Sequence, residues 1–143
     1  MTDPSPSPAF RVHGALSRGA FAVTVLVSLA VLFAPASDVP AAPPGVDKLV
    51  HLALFLALAL AGRWAGTRPG PLAVLLLAYG AVSEVVQAVT SLQRSGSVLD
   101  WLADAAGVAL GLLLWAVGER RAARVTGAEA VLHRDGPPGS LTR

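Results

Sequence analysis

The sequence predicts an all-α, multi-pass membrane protein, a four-helix bundle with both termini in the cytoplasm. Three observations carry this. The chain is 54% hydrophobic and only 14% charged over 143 residues, whereas a soluble domain has about a quarter charged residues. Its apolar residues fall into four runs separated by proline, glycine and arginine. When these runs cross a bilayer in turn, nine of the eleven lysines and arginines lie on one side, and cytoplasmic loops hold the positive excess.

A span needs about 20 apolar residues, with about 17 tolerated. The first run, Ala20 to Ala34, reaches that length from Ala15 if Arg18 lays its stem along the lipid with its charge in water. With "APASDVPA" after it, this run also fits a secretory signal peptide and its small-residue cleavage site. The span is preferred because the later helices need a packing partner. The second run, Val46 to Gly62, closes on Arg63 and Trp64. The third, Leu72 to Thr90, follows Arg68-Pro69-Gly70-Pro71, read as a breaker, and the fourth, Leu99 to Val117, stops at Glu119-Arg120-Arg121. Helices are therefore expected at about 15–34, 46–62, 72–90 and 99–117, in one domain over 15–118.

The flanks read differently. The Pro/Ser-rich start (1–14, "MTDPSPSPAF") and the basic tail (119–143), with Gly136-Pro137-Pro138-Gly139, are expected to be disordered. Trp64, Trp101, Trp115 and Tyr79 read as interfacial or lipid-facing aromatics. The isoelectric point is near 9.9, but the arginines punctuate apolar runs instead of forming a basic stripe, so nucleic acid is excluded as a partner. Cysteine is absent, which removes disulfides and thiolate metal sites. No internal repeat, Walker loop, Rossmann glycine pattern, nucleophile elbow or HExxH motif is present, and no cofactor is expected.

The second run begins "DKLVHLALFLALAL", with an acid, a base and a histidine where lipid favours none. The predicted topology places Asp47, Lys48, His51, Glu84, Gln87, Arg94, Asp100 and Asp104 together in the outer leaflet, Glu84 about 9 Å below Thr90 at ~1.5 Å rise per residue. Lys48, His51 and Phe55 follow at i, i+3 and i+7. Glu84 and Gln87 follow at i and i+3, on a face that Gly80 and Ser91 extend. Asp100, Asp104, Gly107 and Gly111 follow at i, i+4, i+7 and i+11. Such offsets share a helix face.

Several of these residues have plain structural readings. Asp47 suits an N-cap, Ser97-x-x-Asp100 a capping box, and Lys48 a surface-reaching side chain. Phe55 and Gly107-x-x-x-Gly111 suit helix packing. Glu84 fits no cap, and a charged acid at membrane depth costs about 2.5–3.5 kcal/mol unless paired. Asp104 lies past the first turn, with another acid four residues before it. For both, a ligand site and a polar clamp between helices remain open.

The ordered set Asp47-Lys48-x-x-His51-x-x-x-Phe55, Glu84-x-x-Gln87, Arg94 and Asp100-x-x-x-Asp104-x-x-Gly107-x-x-x-Gly111 resembles the VanZ-like membrane proteins, over about Val46 to Leu114. Asp104 departs from that pattern, which often has asparagine there. The resemblance implies a bacterial cell-envelope protein of the cell membrane, in a family named for a protein linked to teicoplanin resistance, and it brings no reaction with it. Three function classes follow, in order of preference. The first is a binding site for an anionic lipid or lipid-linked envelope precursor, with Lys48 and Arg94 on phosphate and Glu84, Asp100 and Asp104 as acceptors for sugar or peptide. The second is a structural subunit, including a homo-oligomer, held by a polar clamp. The third is a membrane enzyme using His51 and Glu84 in acid–base roles, with Glu84, Asp100 and Asp104 able to hold a divalent cation through oxygen.

Overall fold

The computed structural model describes residues 14–35, 43–90 and 97–134, with side chains as far as Thr126. Every regular element among them is helical: α1 (Ala15–Leu32), α2 (Val46–Trp64), α3 (Pro69–Val89) and α4 (Val98–Arg134). Three of the four, α1, α3 and the Val98–Thr126 part of α4, are long and apolar enough to cross a membrane. The helix α2 carries Asp47, Lys48 and Arg63 near its ends and is the exception. It is nevertheless the centre of the assembly: it packs against each of the other three helices, most extensively against α4.

The packing inverts the pattern of a soluble bundle. His51, Glu84, Gln87, Asp100 and Asp104 are buried, while Val23, Leu26, Val74, Leu75, Val82 and Leu113 are exposed. An apolar exterior around polar buried groups fits a bilayer, where lipid tails are as apolar as leucine and helix association depends on close packing and hydrogen bonds. The buried residues form one stripe per helix: His51, Phe55, Leu58, Ala59 and Gly62 on α2, and Leu72, Leu76, Gly80, Ser83, Glu84 and Gln87 on α3. On α4, Asp100, Asp104, Gly107, Val108 and Gly111 are the buried set.

Gly107 and Gly111 mark the closest approach of α4 to α2. A Cβ on Gly107 would press on the Leu52 carbonyl oxygen and lie 3.0 Å from the Leu56 nitrogen; one on Gly111 would lie 2.8 Å from the Ala59 Cβ and 2.9 Å from the Leu56 oxygen. At the far end of α2, Arg63 pairs with Glu119 at 3.1 Å and lies over the Trp115 ring at 5.6 Å. The Trp115 indole donates to Glu119 at 2.7 Å.

Three local expectations are corrected. Pro69 and Pro71 lie inside the first turn of α3 and do not break it, because backbone N–H groups at a helix start have no intrahelical partner to lose. The fourth helix does not stop at Val117. It runs on to Arg134, so residues 119–134 of the expected disordered tail are helical; Ala, Arg and Glu are strong helix formers and no proline interrupts them. At ~1.5 Å per residue its 37 residues span about 55 Å, well beyond a hydrocarbon core of about 30 Å. Tyr79 is no interfacial residue: its ring stacks on Phe55 at 5.7 Å and its hydroxyl lies 3.1 Å from Ser28 Oγ on α1. Trp101 donates its indole N–H to the Leu77 carbonyl of α3 at 3.2 Å and is half-buried, which is compatible with a lipid-facing ring. The expected disordered start, residues 1–14, falls almost wholly outside the described residues.

Candidate functional site

The N-terminal end of α2, the C-terminal end of α3 and the first turns of α4 meet at one end of the bundle. Lys48 Nζ lies 3.0 Å from Asp47 Oδ2 and 3.1 Å from Asp100 Oδ1, which ties α2 to α4. The Lys48–Asp100 contact is an ion pair by distance that misses hydrogen-bond alignment, so Asp100 Oδ1 stays without a hydrogen bond. One turn deeper, His51 Nδ1 lies 2.9 Å from Asp104 Oδ1, in a fully buried contact, and 3.7 Å from Glu84 Oε1. The cluster thus joins α2, α3 and α4 through side chains spaced far apart in the chain.

Glu84 is the hinge between α3 and α4. Its Oε2 accepts the backbone N–H of Ser97, the residue before α4, at 2.6 Å. Ser97 Oγ in turn accepts the Asp100 N–H at 3.4 Å. Half of the expected capping box is therefore present, but the acid that reaches back to the cap nitrogen is Glu84 from another helix instead of Asp100. A carboxylate beside a helix N-terminus is favourable because the free N–H groups and the aligned peptide dipoles present positive charge there. With that role filled, Asp100 faces Lys48. The reading that Glu84 fits no cap is corrected accordingly: the cap it supplies belongs to α4 and not to its own helix.

The other predicted residues divide. Asp47 does not cap α2; Gly45 occupies that position in the left-handed region (φ 90°), and Asp47 is half exposed beside Lys48. Gln87 does not join the cluster. Its amide donates to the Leu32 carbonyl at 2.8 Å and fastens the end of α1 to α3. Phe55 is fully buried one turn below His51 and stacks on Tyr79. Arg94 lies outside the described residues. Gly80 makes room for the deepest acid, since a Cβ there would come within 2.8 Å of Asp104 Oδ2.

Spacing alone did not single out Ser97 as a partner of Glu84, or Ser28 as a partner of Tyr79. Ser97 carried a signal, its position three residues before Asp100. Ser28 carried none, because its hydroxyl also bonds the Val25 carbonyl within α1.

The cluster is electrostatically unbalanced. Glu84, Asp100 and Asp104 are buried acids, faced by Lys48 and by a histidine that is neutral unless protonated. Three buried oxygens, Glu84 Oε1, Asp100 Oδ1 and Asp104 Oδ2, have no hydrogen-bond partner among the described residues. An unsatisfied buried polar atom costs about 1–3 kcal/mol, and the cost rises in a medium of low dielectric. Beside the cluster an apolar pocket of about 270 Å³ opens between α3 and α4, lined by Val85, Ala88, Val98 and Trp101, with Glu84 and Ser97 in its wall. Chemically the arrangement can accept hydrogen bonds, exchange protons through His51, or gather positive charge. No family model matches the chain, nor does any curated protein or solved structure.

Proposed function

We propose that this is a multi-pass membrane protein with four spans, both termini cytoplasmic, whose polar cluster lies in the outer leaflet and binds a lipid-linked envelope precursor or another anionic lipid. The helix α2 serves as the fourth span, its three charges confined to its ends and its polar face covered by neighbours. The observation that carries the binding reading is Glu84. It is a buried acid with one oxygen unpartnered, set in the wall of an apolar pocket that opens between two helices. Such a pocket suits a lipid chain, and the buried carboxylate beside it becomes an acceptor for a hydroxyl or amide donor of a sugar or peptide headgroup once the Glu84 side chain turns toward the pocket. Lys48, its side chain 37% exposed, is the cluster's lysine among the described residues and is open to a phosphate. The resemblance to the VanZ-like proteins points the same way, toward the cell envelope and toward glycopeptide resistance of the teicoplanin type.

A second reading, a structural clamp, is favoured by the His51–Asp104 contact and the Gln87 bond to α1, which join helix pairs with no ligand present. Glu84→Gln separates the two. The amide oxygen keeps the acceptor for Ser97, so folded protein should stay near the wild-type amount. Under the binding reading, mass spectrometry of detergent-extracted protein should find the co-purifying lipid reduced several-fold. A variant that is equally abundant and carries the same lipid in the same amount leaves only the clamp.

A further inference from the structure

We infer that His51, Glu84 and Asp100 form a site for a single divalent transition-series cation, with Asp104 as the residue that positions His51. The inference deepens the lipid-binding reading and rests on its claim that the cluster is a ligand site. The geometry comes first. One ligand atom from each of the three side chains lies within 4.8 Å of the others, and all three residues are buried. Glu84 Oε1 and Asp100 Oδ1 are buried oxygens without an aligned hydrogen bond; their nearest cationic neighbours are His51 Nδ1 at 3.7 Å and Lys48 Nζ at 3.1 Å. Glu84 is 8% exposed.

Charge points the same way. Three buried carboxylates face one ammonium, which leaves two negative charges when His51 is neutral. A cation of charge two closes that balance. Asp47 is left out of it because half of its side chain meets solvent.

The donor chemistry selects the ion. One imidazole nitrogen and two carboxylate oxygens, with no thiolate in the chain, suit Zn²⁺ or Mn²⁺ and hold magnesium poorly. Three protein ligands also leave a coordination position open, as in zinc sites that take up a further ligand. That position resolves a difficulty in the proposed function, because a cluster rich in carboxylates repels a phosphate whereas a bound cation accepts its oxygen.

Asp104 supplies the remaining part. If Nδ1 donates its proton to Asp104 Oδ1 at 2.9 Å, the lone pair left for the cation is on Nε2. The 3.7 Å approach to Glu84 Oε1 is made by Nδ1, so the ring turns about this hydrogen bond as the cation enters. A carboxylate in this role commonly orients a metal-bound histidine and strengthens it as a ligand. Gly80 keeps the space in which Asp104 stands. Lys48 pairs with Asp100 and keeps its charge in this balance, its flexible side chain shifting along the carboxylate as the cation enters.

The test uses the full chain in detergent, purified on a tag without histidine, stripped with EDTA and dialysed against Zn²⁺ or Mn²⁺ alone. Elemental analysis should find one equivalent of metal per chain. Calorimetric titration with Zn²⁺ should show affinity falling at least tenfold in His51→Gln, Glu84→Gln and Asp100→Asn, and about 10–100-fold in Asp104→Asn. Asp47→Asn should bind as the wild type does. Helix content and elution volume, read on each variant, separate lost ligands from lost fold. Wild-type protein that takes up neither metal in stoichiometric amount overturns the site, without any variant being needed. So does binding that survives His51→Gln and Glu84→Gln in folded protein. Lipid retention by EDTA-stripped protein is read separately: if lipid binds but metal does not, the cation site fails while the lipid reading stands.

Discussion

Replacing Gly107 by alanine adds one carbon at the tightest point between α2 and α4. An ideal Cβ there presses on the Leu52 carbonyl oxygen, with the Leu56 nitrogen at 3.0 Å and the Leu52 carbonyl carbon at 3.2 Å. All three are backbone atoms of α2, so none can rotate away as a side-chain tip would. Comfortable contact between heavy atoms begins at about 3.5 Å, and the two helices must separate by a distance on the order of 1 Å. Overpacking costs about 1–3 kcal/mol, and an immovable neighbour puts this case near the upper end. Alanine's better helix propensity offsets about 1 kcal/mol, leaving a net loss of about 2 kcal/mol. Gly118 on the same helix has nothing within 4 Å of the corresponding position, so Gly118→Ala should gain about 1 kcal/mol from propensity alone. Unfolding both variants in mixed micelles of increasing SDS, followed by tryptophan fluorescence, should show a gap of about 3 kcal/mol between identical substitutions. Equal stabilities for the two would mean that α4 does not pack on α2 through this face.

Two further outcomes are expected. In a double-mutant cycle on His51→Ala and Asp104→Ala, each single change should cost about 3–5 kcal/mol because it leaves a buried partner unpaired. The two should couple by about 1–3 kcal/mol, and strictly additive losses would show that the pair is not an interacting unit. Reporter fusions after Pro40 and Gly96 should report an outside location and one after Thr67 an inside location, as the distribution of lysine and arginine requires. An inside report after Gly96 would put the cluster in the wrong leaflet.

How much of this was legible in the chain depends on the range of the interaction. His51 and Phe55 share a face because helical periodicity is local, and the structure buries both on the α2 stripe. The small residues of α4 were readable for the same reason. The role of Glu84 was not, because it depends on where a second helix begins. Its bond to Ser97 spans thirteen positions, and no spacing rule reaches from one helix to the start of another. Depth and its i+3 spacing from Glu84 place Gln87 with the polar cluster, yet it faces α1, which carried no polar motif to suggest a partner. The length of α4 was misjudged because charge was taken as the end of a helix, when charge ends only its apolar part. Glu119, Arg120 and Arg121 are good helix formers in water.

The bond from Glu84 to the start of α4 also bears on how the chain is put together. Synthesis delivers α2 and α3 before α4, so for a time His51 and Glu84 exist without Asp104 or the Ser97 amide, the partners that hold them in the finished protein. Two polar groups awaiting their acceptor and donor are poorly suited to sit alone among acyl chains. In the proposed four-span arrangement, the first three helices would carry these groups without their partners until the fourth arrives. On that reading α4 brings the partners that the other helices lack, and the cluster forms only when assembly is complete.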